Sequence, residues 1–119
     1  EHVVSAYYDI THGVGLAILT PAWMEYVLSE KTAARFARFA REVFGVSEAD
    51  DMKAAELGIE KVREFNKSLD MPEKLSEVGI GEEKFDEMAS EAVRTSGLAE
   101  RAYVKLDSSD VREILLKCL

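Results

Sequence analysis

His2 and His12 are the only imidazoles in the chain, and they flank the turn-like run Tyr7-Tyr8-Asp9-Ile10-Thr11. Imidazole binds divalent metals through nitrogen and exchanges protons near neutral pH. A pair of this kind therefore suggests a metal or hydride-transfer site. Ten positions of separation is not the i, i+4 spacing of a single helical face. The two rings could still approach each other, with one near the end of a first helix and the other at the start of the next. A histidine at a helix N-terminus tends to stay neutral, and the neutral ring is the form that ligates metal. A metal shell needs several donors converging on one point, and no cysteine or carboxylate cluster completes one here. The residues alone leave two readings open: part of a larger site, or hydrogen-bonded side chains of an interhelical turn. Tyr7, Tyr8 and Asp9 are open in the same way, as partners that orient a ligand or as plain turn residues.

Other chemistries lack their motifs. There is no Gly-rich strand-turn-helix fingerprint for a dinucleotide, no Gly-x-Ser-x-Gly elbow and no Ser/Cys-His constellation. The 119 residues carry 15 Lys+Arg against 23 Asp+Glu, a net charge of −8, which argues against nucleic acid and against an anionic membrane surface as partners. The longest apolar run, Val14 to Leu19, is too short to span a bilayer. The single cysteine, Cys118, excludes an intrachain disulfide and fits a reducing, cytoplasmic setting. It falls on an apolar stripe, as a core residue does.

The elements that must position the histidines all read as helix, with no period-two alternation and no hairpin signal. Residues 2 to 8 read as the last turns of a helix, broken at Asp9-Ile10-Thr11, with Thr11 as N-cap of the next. The segment from His12 to Leu28 is apolar nearly all round, so it is buried on several sides. Gly13 and Gly15 are poor helix formers whose use is to admit a backbone or ligand, and Pro21 should kink or divide the helix. Residues 32 to 44 place Ala33, Phe36, Ala37, Ala40, Val43 and Phe44 inward, with Gly45 as the stop and Arg35, Arg38 and Arg41 on a solvated face. Ser47-Glu48-Ala49-Asp50 reads as a capping box for a helix to about Leu69, with Met52, Ala55, Ile59, Val62 and Phe65 inward. Leu75 to Ile80 is a connector that packs down. Gly81 opens a helix with Phe85, Met88, Ala89, Ala92 and Val93 inward, ended by Gly97. Residues 98 to 106 are irregular, and Asp107 caps a last helix with Val111, Ile114, Leu115 and Cys118 inward. The sum is one all-α domain over residues 1–119, a bundle of about five helices.

The segment His2 through Leu19 resembles the signature of the iron-containing (metal-dependent) alcohol dehydrogenases. The wording Ser5-Ala6-Tyr7-Tyr8-Asp9-Ile10-Thr11-His12-Gly13-Val14-Gly15-Leu16-Ala17-Ile18 is most similar to the butanol dehydrogenase branch. The likeness continues through Pro21-Ala22-Trp23-Met24-Glu25-Tyr26, Leu69-Asp70-Met71-Pro72-Glu73-Lys74-Leu75, Val78-Gly79-Ile80 and Asp110-Val111-Arg112-Glu113-Ile114. It departs at Val3-Val4, where that branch carries Glu-Leu.

The resemblance implies a C-terminal helical domain of the dehydroquinate synthase-like fold, in a longer enzyme whose N-terminal α/β domain binds NAD(P). It implies a divalent metal, iron or sometimes zinc, held by one Asp and three His between the two domains. His12 matches the fourth ligand. His2 matches a histidine near the nicotinamide that takes part in proton relay and does not hold the metal. The other three ligands and the dinucleotide-binding glycines have no counterpart here. Arg94, Thr95 and Ser96 fall in a region that approaches substrate in relatives, with a match too loose to give them roles.

On that reading the chain, which opens on Glu1, is a C-terminal fragment of an enzyme acting on a small primary alcohol and its aldehyde. Alone it is expected to be inactive, to bind no cofactor tightly, and to dimerise through an apolar face near residues 2 to 20. The competing reading is a freestanding helical interaction module without catalysis.

Overall fold

A computed structural model describes residues 1–119. Apolar residues recurring every third or fourth position generate six α-helices and no strand: α1 (His2–Tyr8), α2 (His12–Val27), α3 (Ala33–Phe44), α4 (Asp51–Ser68), α5 (Phe85–Ser96) and α6 (Ser108–Lys117). Short 3-10 turns lie at Leu75–Val78 and Glu82–Lys84. The helices group into two compact units. One comprises Glu1–Leu19 with Pro72–Leu119, the other Thr20–Met71.

The first unit holds both histidines. Its core is Val3, Val4, Ile18, Leu19, Leu75, Ile80, Phe85, Met88, Ala89, Leu106, Ile114, Leu115 and Cys118. Phe85 and Leu75 are fully buried. The connector packs down as its apolar content requires. The Leu75 amide donates to the Cys118 carbonyl at 2.7 Å, and Ser76 Oγ donates to the Leu119 carbonyl at 2.9 Å. The Cys118 thiol faces the Ile18 carbonyl at 3.8 Å, so this cysteine is a core residue of the unit. Asp107 and Asp110 form a reciprocal capping box on α6, each side chain accepting from the other's amide at 2.9 Å.

The second unit is an α3–α4 hairpin with the C-terminal half of α2. Its helices meet where Ala40 faces Gly58: a Cβ on Gly58 would lie 2.6 Å from the Ala40 Cβ. The missing side chain thus sets how closely the two backbones approach. Thr32 is the unit's buried polar residue. Its hydroxyl donates to the Val27 carbonyl and accepts from the Ser29 amide, both at 2.8 Å, which ties the end of α2 to the start of α3.

Four expectations need correction. Pro21 does not divide α2, which runs unbroken from His12 to Val27. An interior proline costs about 3 kcal/mol. Burial of Ile18, Leu19, Met24 and Val27, roughly 1.5–3 kcal/mol each, outweighs it. Val43 and Phe65, expected inward, are 60% and 55% exposed. Helices that cross bury residues near the crossing point, and here burial on α4 centres on Ala54, Ala55, Gly58 and Ile59. The cap of α4 is Asp50, whose carboxylate accepts from the Lys53 amide at 2.9 Å, so Ser47 does not open a capping box. Arg41 is not merely solvated. Its guanidinium donates to the Glu48 carbonyl at 3.0 and 2.8 Å, to the Ala49 carbonyl at 3.0 Å and to Asp51 Oδ1 at 2.9 Å.

The apolar residues of positions 2 to 20 are mostly covered inside the first unit, with Ala6 and Leu16, the latter 43% exposed, the exceptions. Leu57 and Phe65 on α4 and Leu69 just after it, by contrast, are exposed.

Candidate metal centre

The break between α1 and α2 is built by Asp9. It sits at φ 51°, ψ 41°, and its amide donates to the Ser5 carbonyl at 2.9 Å. A short polar side chain tolerates this left-handed backbone better than an apolar one. The Thr11 carbonyl then receives the Val14 and Gly15 amides at 2.9 and 3.1 Å, which starts α2. His12 accordingly stands in the first turn of α2. His2 lies in α1, ahead of the break at Asp9.

The two rings nonetheless meet. They stack with centroids 5.1 Å apart and planes inclined by 25°. A third donor joins them, Glu1. One donor atom each from Glu1, His2 and His12 lies within 4.8 Å of the other two. The Glu1 side chain is only 7% exposed, whereas that of His12 is 53% exposed. Glu1 Oε1 accepts from Ser5 Oγ, and Glu1 Oε2 pairs with His12 Nδ1. Gly15 makes room for this carboxylate, since a Cβ there would come within 2.8 Å of Glu1 Cγ and Cδ. Gly13, expected to serve the same purpose, has no neighbour within 4 Å of the position a Cβ would take.

Tyr7 and Tyr8 do not join the cluster. The Lys84 ammonium stands 5.8 and 5.5 Å from their ring centroids, a cation–π contact that holds α1 against the Glu82–Lys84 turn. Desolvation, aided by the Glu83 charge, raises the Tyr8 phenol above its ordinary 10.0. Asp9 is exposed and serves the turn. The side chains of Arg94, Thr95 and Ser96 hydrogen-bond to Glu91 and Ala92 within α5.

Two imidazole nitrogens and a carboxylate oxygen are the donor types that iron and zinc accept, and half of the His12 ring is open to solvent. His12 therefore fits a divalent metal as one ligand of a shell, with Glu1 and His2 beside it. The family model described as "Fe-containing alcohol dehydrogenase family, C-terminal" matches residues 1–119. The chain belongs to the iron-containing alcohol dehydrogenase family.

Within that family, the chain is 48% identical over 118 residues to NADH-dependent butanol dehydrogenase A of Clostridium acetobutylicum, covering 98% of this chain and 30% of the relative. It is 44% identical over 119 residues to butanol dehydrogenase B of the same organism, with the same coverage. The crystal structure of NADH-dependent butanol dehydrogenase A from Thermotoga maritima superposes with a TM-score of 0.84 at 37% identity, over 98% of this chain and 31% of that one. A 1,3-propanediol oxidoreductase superposes with a TM-score of 0.86 at 24% identity, over 99% of this chain and 31% of that one, which shows the shared fold. This iron-containing alcohol dehydrogenase segment thus spans about 30% of the length of the relatives it matches. It is all-helical, as the resemblance implied, and no helix is long and apolar enough to cross a membrane.

Proposed function

We propose that this chain is the C-terminal helical domain of a metal-dependent, NAD(P)-dependent enzyme that interconverts a butanol-like primary alcohol and its aldehyde in the cytoplasm. The observation that carries this reading is the stacking of His2 on His12 beside a buried carboxylate, in a segment 48% identical to a protein named as a butanol dehydrogenase. His12 holds the metal, iron or zinc, and His2 is the catalytic residue that relays the proton.

When bound, the divalent metal supplies Lewis acidity toward a substrate oxygen and the nicotinamide supplies hydride chemistry. The chain's own residues do the rest. His12 offers a ring nitrogen as ligand from the first turn of α2, held against Glu1. His2 is exposed and stacked on His12. An imidazole so placed can accept a proton at one ring nitrogen and release one to water at the other. The remaining metal ligands and the dinucleotide site belong to the length that the relatives have beyond this segment.

The test uses the full-length enzyme that contains this domain, assayed for butanal reduction by NADH and for bound metal. His12→Ala is expected to lose both metal and turnover. His2→Ala is expected to keep the metal, turn over more slowly and show an altered pH profile. A His12→Ala enzyme that retains its metal would overturn the assignment. An unchanged pH profile in His2→Ala would remove that residue from the relay. The 119-residue chain alone is expected to bind metal weakly and to be inactive, and turnover by it would refute the partial-site reading. The same reading includes a homodimer, which sedimentation of the full-length enzyme as a strict monomer would exclude.

A further inference from the structure

We propose that Glu1 is a positioning residue for His12, fixing the tautomer and orientation of its ring. The proposal rests on the reading that His12 is a metal ligand. Glu1 has a charged side chain that is 7% exposed, and a buried carboxylate is costly unless its oxygens are matched. Both are: Oε1 takes the Ser5 hydroxyl and Oε2 faces His12 Nδ1. An ionised carboxylate can only accept hydrogen bonds. Opposite Nδ1 it selects the tautomer that carries its proton there, which leaves the Nε2 lone pair for a cation. Partners of this kind orient ligating histidines and raise their basicity.

A second, independent observation supports the pairing. Gly15 lies one turn beyond His12, and an added Cβ would crowd Glu1 Cγ and Cδ at 2.8 Å. The space beside the carboxylate is kept open by a residue that is a poor helix former. With both oxygens already engaged by side chains, Glu1 acts through His12 and is not itself a ligand.

The experiment titrates the metal-free full-length enzyme with Zn²⁺ against a chromophoric chelator. Glu1→Ala is expected to weaken zinc binding about 10–100-fold, the range for loss of such a partner. Glu1→Gln should recover most of this, because its amide oxygen still accepts from Nδ1–H. Gly15→Ala should behave like Glu1→Ala, with circular dichroism confirming that the helices persist. His12→Ala serves as the reference. If it leaves zinc binding intact, the ligand reading itself fails. If it abolishes binding while Glu1→Ala changes affinity less than twofold, Glu1 has no positioning role. If Glu1→Ala and Glu1→Gln both abolish binding as fully as His12→Ala, Glu1 is a ligand and the proposal is overturned.

Discussion

The Ala40–Gly58 crossing gives the sharpest stability prediction. Gly58→Ala removes the entropic cost of glycine in a helix interior, a gain of about 1 kcal/mol. Against this, the new Cβ would stand 2.6 Å from the Ala40 Cβ and 3.2 Å from its Cα. Neither atom is the end of a flexible side chain, so α3 and α4 must separate. Overpacking of this kind costs roughly 1–3 kcal/mol. Because the clash is with atoms fixed to the backbone, the upper half of that range applies, and the net loss is about 1–2 kcal/mol. At this chain length a loss of that size lowers the melting temperature by roughly 3–10 °C. Urea unfolding of Gly58→Ala, Ala40→Gly and the double variant forms a cycle. Moving the methyl group from one helix to the other should recover at least about 1 kcal/mol of coupling between the two sites. Gly13→Ala is the internal control: nothing lies within 4 Å, so the same substitution should be neutral or stabilising by up to about 1 kcal/mol. A Gly58→Ala variant as stable as the parent, or a cycle with no coupling, would refute the close-approach argument.

Thr32→Val should destabilise the chain by about 1–3 kcal/mol in urea, because it strands the Val27 carbonyl and the Ser29 amide that the hydroxyl satisfies. Asp107→Ala, which removes the N-cap of α6 and half of its capping box, should cost about 1 kcal/mol by the same measurement. The raised Tyr8 phenol favours the folded state fully below its ordinary 10.0. That contribution is lost as pH rises through the higher folded value, so stability should fall above about pH 10 less steeply in Tyr8→Phe than in the parent.

The helices were legible because their signals are local. The stripes of α3, α5 and α6 run at helical spacing, and the stops at Gly45 and Gly97 adopt the left-handed φ of 66° and 71° that glycine permits. The cap at Asp107 is likewise read from the residues beside it. What was not legible depends on partners far along the chain. Val43 carries the period of its helix, yet the crossing at Ala40 and Gly58 decides what is covered. Arg41 looks like a member of an arginine stripe until the chain turns back and brings the carbonyls of Glu48 and Ala49 to it.

The candidate metal centre divides along the same line. His2 and His12 could be singled out because imidazoles are rare here and their chemistry is distinctive. Their stacking was not readable from spacing, since it needs α1 and α2 to bring His2 and His12 side by side. Glu1 is one of 23 acidic residues, and nothing about its type separates it from the other 22. The usable signal was Gly15, a glycine inside a strongly apolar helix three positions after His12. A helix can accept the roughly 1 kcal/mol cost of glycine for a neighbour that needs space; Gly13, with nothing within 4 Å of its Cβ position, has no such neighbour, whereas Gly15 has one. Gly15 lies within a regular helix and has no positive φ, and a Cβ there would meet the carboxylate that pairs with His12. Of the two glycines beside this candidate ligand, the one whose Cβ position is occupied, Gly15, points to the group that orients it.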